Sequence, residues 1–255
     1  MVILVPITMA FVGNKDWRTP TTTTTHPTWR MRRRTTRTTT TTSRMMNPHE
    51  NMVSFNPTKT ALVLIEYQNE FTTPGGIFHD AVKNVMEETN MLENSARLVT
   101  WARNQGCTIL HCPISFQPGH LELASSPHLL YGILAGVKEG QAFVHGSWGA
   151  DFSPTMMPQR GDLIVKGKSG LCGFASTNLD FLLRQRKIDT ILLGGFLTNC
   201  CVESTMRTAY EKGYRVYTVQ DCMATTSMQA QEAAFQHNFG MFSIPTTSHE
   251  IKEAL

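Results

Sequence analysis

The chain has 255 residues, of which 41% are hydrophobic, which suits one globular domain of about 200 residues with additional sequence outside it. The formal net charge is +3, but residues 1–44 carry eight basic residues and one acidic residue, so residues 45–255 have a net charge of −4, which argues against nucleic acid as the main partner. No apolar stretch approaches the roughly 20 residues of a membrane span, so no membrane partner is predicted.

Residues 1–44 form a segment of low complexity. Two threonine tracts flank an arginine cluster at 32–34, without a hydrophobic period that could build a core. We therefore expect a disordered tail attached to a domain at residues 45–255. The Arg-rich, acid-poor composition resembles a mitochondrial transit peptide, so a mitochondrial location is an alternative to the cytoplasm. A further alternative is a true start at a later methionine, namely Met45, Met46 or Met52.

Beyond residue 59, strand-like and helix-like patterns alternate. Short apolar runs of the kind found in strands buried on both faces lie at 61–65, 107–112, 162–165, 189–193, 214–219 and 240–244. Stripes with helical spacing lie between them, at 80–104, 178–186, 203–212 and 229–237. The alternation predicts a doubly wound, three-layer α/β sandwich with a mainly parallel sheet. In such folds the functional site lies beyond the carboxyl ends of the strands.

The segment after the fourth predicted strand is the most informative part of the chain. The run Thr190–Leu193 leads into Gly194-Gly195 and a Thr198-Asn199 turn signal, and Cys201 then opens a helical pattern. Unpaired N–H groups and the helix dipole stabilise an anion at such a position, so the thiol is expected to have a low pKa and to be nucleophilic. Cys201, rather than its neighbour Cys200, is the predicted nucleophile.

Charged residues follow two other predicted strands. Glu66 ends the first strand, and Lys166 and Lys168 follow the third. A carboxylate, an ammonium group and a thiol at one edge of a sheet can perform nucleophilic acyl chemistry, since the carboxylate accepts the thiol proton and the cation stabilises developing negative charge. Taken singly, each residue has an ordinary structural explanation, and the prediction depends on their joint occurrence in this topology.

The chain from about residue 59 to 248 resembles the isochorismatase-like cysteine hydrolases. The first strand leads into Glu66-Tyr67-Gln68-Asn69-Glu70-Phe71, similar to the family pattern Asp-x-Gln-Asn-Asp-Phe. The most specific similarity is Gly195-x-x-Thr198-Asn199-x-Cys201-Val202, and Asp221-x-x-Ala224-Thr225 matches the segment after the fifth strand. The resemblance implies a doubly wound fold, a frequently oligomeric enzyme and hydrolysis of small amides, ureido compounds or, in one branch, an enol ether.

The resemblance also implies a catalytic triad, here Glu66, Lys168 and Cys201. It further implies an oxyanion hole made by the backbone N–H groups of Leu197 and Cys201, with a cis peptide between Phe196 and Leu197. Glu66 departs from the family by standing where an Asp is usual. Lys166 is the alternative lysine, but only Lys168 has the family spacing, six, nine and twelve residues before Phe174, Thr177 and Asp180.

No cofactor is predicted. The nicotinamidase branch of the family has an Asp-x-His pair after its second strand, which is absent here, so His111, Cys112 and Cys107 are interpreted as core or supporting groups rather than metal ligands. The six cysteines show no CxxC and no zinc-like spacing, and several lie in strand-like runs, which indicates free thiols in a reducing compartment such as the cytoplasm.

The favoured function is hydrolysis of a small amide or ureido C–N bond through a thioester on Cys201. The segment from Cys201 to Arg207 looks most like the branch that acts on ureido and biuret-type substrates. The alternatives are an isochorismatase-type ether hydrolase and a non-catalytic family member that acts as a binding protein. The predicted partner is a small-molecule substrate bound by Phe116, Trp148 and Asn199, with Phe143 or His145 as further wall residues, in a homo-oligomer.

Overall fold

The computed structural model describes residues 53–126 and 128–254, so the predicted tail lies outside the described residues. Six strands are present: β1 Thr60–Ile65, β2 Thr108–Cys112, β3 Leu163–Ile164, β4 Thr190–Phe196, β5 Arg215–Ala224 and β6 Ile244–Thr246. The helices in this part of the chain are α1 Asn69–Thr72, α2 His79–Glu88, α3 Met91–Asn104, α4 Gly132–Glu139, α5 Leu179–Gln185, α6 Glu203–Glu211, α7 Met228–Ala234, α8 Gly240–Phe242 and α9 Ser248–Glu253. Short 3₁₀ turns lie at Pro57–Lys59 and Pro154–Met156, and π-helical turns at Thr198–Val202 and Phe235–Phe239.

All strand pairings in the sheet are parallel, and the strand order is β3-β2-β1-β4-β5-β6. The order reverses between β1 and β4, which makes their carboxyl ends the topological switch point where α/β proteins bind ligands. The register brings the strand ends together, because Ile65 of β1 pairs with both Cys112 of β2 and Gly195 of β4. The prediction of a doubly wound parallel fold is thereby confirmed.

Both faces of the sheet are covered, and successive residues of β1 point to opposite layers. Leu62 and Leu64 belong to a core with helices α2, α3 and α9. Ala61, Val63 and Ile65 belong to a second core with α5, α6 and α7. This burial on both faces explains why β1 is a continuous apolar run rather than an alternating one. None of the helices within 53–126 and 128–254 has the length and apolarity needed to cross a membrane.

Two of the predicted elements are wrong in detail. The predicted helix 80–104 is two helices, because Asn90 adopts a left-handed conformation with φ of +51° between α2 and α3. The predicted strand 240–244 is also wrong, since 240–242 is helical and the strand lies at Ile244–Thr246. The apolar residues there continue the helical run that begins at α7, in which Phe239 is fully buried.

Candidate active site

The carboxylate of the predicted triad lies immediately after β1. Glu66 is 2% exposed and has a φ of +59°, which is uncommon for a residue with a side chain. Its backbone is held on both sides, because its N–H donates to the Cys112 carbonyl at 3.2 Å and its carbonyl accepts from the Gln68 N–H at 2.8 Å. The fold therefore fixes this carboxylate at the switch point.

The lysine in contact with Glu66 is Lys168. Its ammonium donates to Glu66 Oε1 and, at 2.7 Å, to the Gly170 carbonyl, and the residue is 1% exposed. Burial lowers the pKa of Lys168, but the negative charge of Glu66 opposes this effect, and the net shift is above the usual value. The side chain is thus an ammonium ion at neutral pH, and Glu66 and Lys168 form a buried ion pair.

Gly167 separates the buried Lys168 from Lys166, which is exposed. It has a φ of +89°, and a Cβ there would lie 2.5 Å from the Ser176 carbonyl oxygen. Only glycine fits this turn without displacement of the backbone. The lysine that the sequence spacing favours is therefore the one that the turn places against the carboxylate.

The third group follows β4. Gly195 has a φ of +130°, and a Cβ there would lie 2.0 Å from the Ile65 carbonyl oxygen, so glycine is required where β4 passes β1. The turn Thr198–Val202 then leads into α6 and carries Cys201, which is 2% exposed. Thr198 holds this turn, because its hydroxyl donates to the side chain of Gln231 at 2.6 Å.

The Cys201 thiol differs from the sequence expectation of a low pKa. The side chain of Cys200, burial and the Glu66 carboxylate raise the pKa of Cys201 well above its usual value, against the opposing effect of Lys168. The pKa of the adjacent Cys200 is lowered, chiefly by its hydrogen bond with Cys201, so the two thiols titrate as a pair. The resting thiol is protonated, and a base must accept its proton before it can act as a nucleophile.

The predicted oxyanion hole lies beside this turn. The Phe196–Leu197 peptide bond is cis, as the family resemblance implies. The Leu197 carbonyl accepts hydrogen bonds from the N–H groups of Cys200 at 3.0 Å and Val202 at 3.2 Å. The Leu197 N–H itself donates to no group within the described ranges, which leaves it available to an oxyanion.

The predicted substrate-binding residues lie in different environments. Phe116 is 1% exposed and packs on His120 with ring centroids 5.1 Å apart, and Phe143 is buried as well, so both belong to the core. Trp148 is 54% exposed. Asn199 is exposed on the nucleophile turn, and its Oδ1 accepts a hydrogen bond from the Thr225 hydroxyl at 2.7 Å.

A cavity of about 640 Å³ lies beside the site, between the loops at 113–115 and 145–152 and the end of β3. His145 and Lys166 line it, but Glu66, Lys168 and Cys201 do not. Its wall is joined to the triad, because the Ser115 N–H donates to the Lys168 carbonyl at 3.0 Å. This cavity is therefore adjacent to the buried triad rather than around it.

One supporting residue was not singled out from the sequence. The buried side-chain amide of Gln68 donates to the carbonyls of Ile114 at 2.8 Å and Ala150 at 2.7 Å and accepts from the Ile114 N–H at 2.9 Å. It therefore fixes the two loops that border the cavity. Its position in the motif after β1 was the available signal.

The residues weighed as metal ligands have other partners. His111 Nε2 lies 3.2 Å from Asp162, which also accepts two hydrogen bonds from Arg103, while Cys107 and Cys112 are buried in the two cores. Within residues 53–126 and 128–254, no group of three or more His, Cys, Asp or Glu side chains is arranged to hold a metal ion.

Known proteins share both the sequence pattern and the fold. A family model described as the isochorismatase domain matches residues 60–250. An isochorismatase family protein from Burkholderia thailandensis is 28% identical, with a TM-score of 0.64 over 79% of this chain and 97% of that one. A cysteine hydrolase from Pseudomonas syringae pv. phaseolicola is 22% identical, with a TM-score of 0.68 over 79% of this chain and 94% of that one.

A third structure, N-carbamoylsarcosine amidase from Thermoplasma acidophilum, is 24% identical, with a TM-score of 0.58 over 74% of this chain and 96% of that one. At this level of identity the last two similarities show the fold alone. The match to the family model covers most of the chain and agrees with the strand order and with the motifs at the ends of β1 and β4. The chain belongs to the isochorismatase family.

Proposed function

We propose that this protein is a cysteine hydrolase that cleaves a small amide or ureido C–N bond through a thioester on Cys201. The observation that carries the proposal is the ion pair of Glu66 and Lys168, buried at the switch point where both charges act on the Cys201 thiol. Burying two charges costs several kcal/mol per ion. A charge pair at a ligand-binding edge therefore has a better explanation in chemistry than in stability.

In the first half-reaction, Glu66 accepts the proton of the Cys201 thiol as the sulfur attacks the substrate carbonyl carbon. The carbonyl oxygen becomes an oxyanion, which the N–H groups of Leu197 and Cys201 stabilise. Glu66 then returns the proton to the nitrogen of the leaving amine or ammonia, the C–N bond breaks, and a thioester remains on Cys201.

In the second half-reaction, Glu66 accepts a proton from water as the water oxygen attacks the thioester carbonyl. The C–S bond breaks, and the proton on Glu66 returns to the Cys201 sulfur. Lys168 is an ammonium ion in the resting site, where the Glu66 carboxylate raises its pKa, and it stabilises the negative charge that moves between the thiol and the carboxylate.

The choice of a C–N bond has two supports. A thiol nucleophile with an adjacent carboxylate suits a carbonyl that can form a thioester, whereas ether hydrolysis needs no such intermediate. The fold is also shared with an N-carbamoylsarcosine amidase. The ether-hydrolase and non-catalytic alternatives are outcomes of the test below.

The test is a screen for ammonia release from small amides, N-carbamoyl amino acids and ureido acids, with the thioester trapped and located by mass spectrometry. Cys201→Ala should lose at least about 10³-fold of the activity, an order set by removal of a nucleophile, whereas Cys200→Ala should keep most of it. Loss of activity in Cys200→Ala alone would move the nucleophile to Cys200.

Glu66→Gln should block thioester formation, whereas Glu66→Asp should retain part of the activity, because it keeps the charge and shortens the stem by one methylene. Wild-type activity without a trapped thioester, on an enol ether only, would favour the isochorismatase-type alternative. The absence of turnover on every class tested would favour a binding protein.

A further inference from the structure

One hydroxyl group lies between the two segments that carry Lys168 and Cys201. Thr205 lies in the first turn of α6, four residues after Cys201, and is 1% exposed. Its hydroxyl donates to the Cys201 carbonyl at 2.7 Å and accepts from the Gly173 N–H at 2.8 Å. Gly173 belongs to the segment 166–173, called here the Lys168 loop. The nucleophile turn and the Lys168 loop are therefore joined through a side chain that has no part in the mechanism above.

The two hydrogen bonds of this hydroxyl differ in what they indicate. The bond to Cys201 is ordinary, because threonine hydroxyls in helices can donate to the carbonyl four residues before them. The bond from Gly173 comes from a separate segment and from a buried backbone N–H, which needs an acceptor. The approach is close, since a Cβ at Gly173 would lie 3.1 Å from Thr205 Cγ2 and 3.4 Å from Cys112 Sγ. Thr205 thus supplies the Lys168 loop with an acceptor at the point where the loop contacts α6.

Further hydrogen bonds connect this point to the lysine. The carbonyl of Gly173 accepts from the Thr177 hydroxyl at 2.6 Å, so the residue is held on both sides. Within the same loop, the ammonium group of Lys168 donates to the Gly170 carbonyl at 2.7 Å. A displacement of Gly173 would therefore move a loop to which the ammonium group is itself hydrogen-bonded.

The separation between the ammonium group and the sulfur matters for the chemistry. The side chain of Cys200, burial and Glu66 raise the pKa of the Cys201 thiol, and the charge of Lys168 opposes them. This opposing interaction weakens as the distance between the two groups increases. Without the Thr205 hydroxyl, the buried Gly173 N–H would lack an acceptor, which is unfavourable enough to shift the loop until the N–H reaches another one. Reacting groups need to be held within about 0.5 Å, so such a shift affects the reaction.

We propose that Thr205 is a positioning residue, whose hydroxyl holds the Lys168 loop against the turn that carries Cys201. The proposal rests on the proposed function and deepens it, because the hydrolase mechanism requires the ammonium charge to act at the sulfur. Thr205 acts through the backbone of both segments, by one hydrogen bond to each. Its removal should therefore weaken the influence of Lys168 on Cys201 while both side chains remain in place.

The experiment compares two alkylating probes on the full-length protein: iodoacetate, which is an anion, and iodoacetamide, which is neutral. Fragment-ion mass spectrometry assigns the label to Cys201 or to Cys200. The ratio of the two rates at Cys201 reports the charge around the sulfur and is independent of the thiolate fraction, because both probes react with the same thiolate. Lys168→Met is the reference, since it removes the ammonium charge and should lower the ratio by at least about tenfold.

Thr205→Val keeps the branched shape but removes the hydroxyl, so it should lower the ratio in the same direction, by at least about threefold. Thr205→Ser keeps the hydroxyl and should stay within about twofold of the wild type. Thr208→Val is the matched control, because the Thr208 hydroxyl of α6 also donates to the carbonyl four residues before it, at 3.1 Å. Its partner in the Lys168 loop is the thiol of Cys172 at 3.3 Å. A thiol is a weak donor, so this variant should also stay within about twofold.

Three results would overturn the proposal. The first is a wild-type ratio in Thr205→Val where Lys168→Met lowers it, and the second is an equal loss in Thr205→Ser or Thr208→Val. The third is an unchanged ratio in Lys168→Met, since the ammonium group would then exert no charge at the sulfur. Should Thr205→Val fail to fold, Thr205→Ala removes the same hydroxyl with a smaller side chain and is judged by the same ratio.

Turnover separates this proposal from the proposed function. On a substrate that the ammonia-release screen identifies, Thr205→Val should lower kcat by at least about tenfold and change KM by less than about twofold, because it displaces reacting groups. Ammonia release by the wild type with an unchanged ratio in Thr205→Val would overturn the positioning role, while the hydrolase function would stand. The expected ratios without ammonia release would support the positioning role and contradict the hydrolase function.

Discussion

The buried ion pair between Glu66 and Lys168 allows a quantitative test by a double-mutant cycle. Both residues are no more than 2% exposed, so replacing one leaves the other as an uncompensated buried charge. The penalty for breaking such a pair is about 3–5 kcal/mol, a large fraction of the roughly 5–15 kcal/mol that stabilises a domain. We expect this loss in the free energy of unfolding for both Glu66→Gln and Lys168→Met.

The double variant Glu66→Gln/Lys168→Met should be much more stable than the sum of the two losses predicts. It removes both charges together and leaves a neutral amide beside an apolar stem, so the coupling energy should exceed about 2 kcal/mol. Lys166→Met is the matched control. Lys166 is exposed and two residues away, so its replacement should change the free energy of unfolding by no more than about 0.5 kcal/mol.

The assay is urea denaturation of each folded variant at pH 7 and pH 9. The pKa of Lys168 is raised in the folded protein, so its stabilising contribution is complete below its unfolded pKa of about 10.4 and is lost only as pH rises through the higher folded pKa. The loss caused by Lys168→Met should therefore be equal at the two pH values. Single losses under about 1 kcal/mol that add without coupling would refute the assignment of a desolvated ion pair.

Four further predictions concern other parts of the molecule. Burial outweighs the effect of Asp162 and lowers the pKa of His111. As the pH drops below about 6.5, the unfolded chain therefore binds a proton before the folded protein does, and the free energy of unfolding should fall. Urea titrations of His111→Gln should lack this pH-dependent loss, and the same pH dependence in the variant and the wild type would contradict the prediction. Gly195→Ala should lower the free energy of unfolding by about 3 kcal/mol or more, because its Cβ would lie 2.0 Å from the Ile65 carbonyl oxygen. Gly213→Ala is the control: Gly213 has a φ of +85° but open space around it, so thermal unfolding should show a loss of only about 1–2 kcal/mol. Activity should survive EDTA, since no step of the proposed mechanism needs a metal ion, and inactivation that added metal reverses would contradict this. A chain that begins at Met46 should keep its stability and activity, because the sequence before it lacks the apolar content to pack; loss of either would show that those residues contact the domain.

The fold was predictable because its strands are buried on both faces. A continuous apolar run such as β1 indicates directly that the strand is buried on both faces. The alternation of such runs with helices then limits the sheet topologies that are possible. Helix boundaries were harder to predict from the sequence. The break at Asn90 depends on a single left-handed residue, and α9 begins at a capping box formed by Thr247 and Glu250 that the sequence did contain.

For the site, the sequence could indicate which strand ends carry reactive groups, but not how deeply they lie. Glu66, Lys168 and Cys201 are each no more than 2% exposed, and this burial depends on the packing of distant segments rather than on the local pattern. Desolvation and neighbouring charge depend on contacts between residues far apart in the chain, such as Glu66 with Lys168. The charges around Cys201 were therefore beyond local reasoning, whereas the spacing along one segment already favoured Lys168, the lysine that contacts Glu66.

The protonated thiol and the buried ion pair together define how the proposed reaction must proceed. If the thiolate formed before the attack, Glu66 would have to accept the thiol proton while Lys168 still stabilises its carboxylate. Each pKa unit by which a proton donor exceeds its acceptor adds about 1.4 kcal/mol to such a transfer. The raised pKa of Cys201 makes this transfer unfavourable in the resting site. The transfer becomes favourable only as the C–S bond forms and negative charge moves from sulfur to the carbonyl oxygen, where the Leu197 N–H can receive it. In this mechanism the thiol stays unreactive until a carbonyl occupies the oxyanion hole. Selectivity for the substrate therefore depends on the charges in the site as well as on its shape.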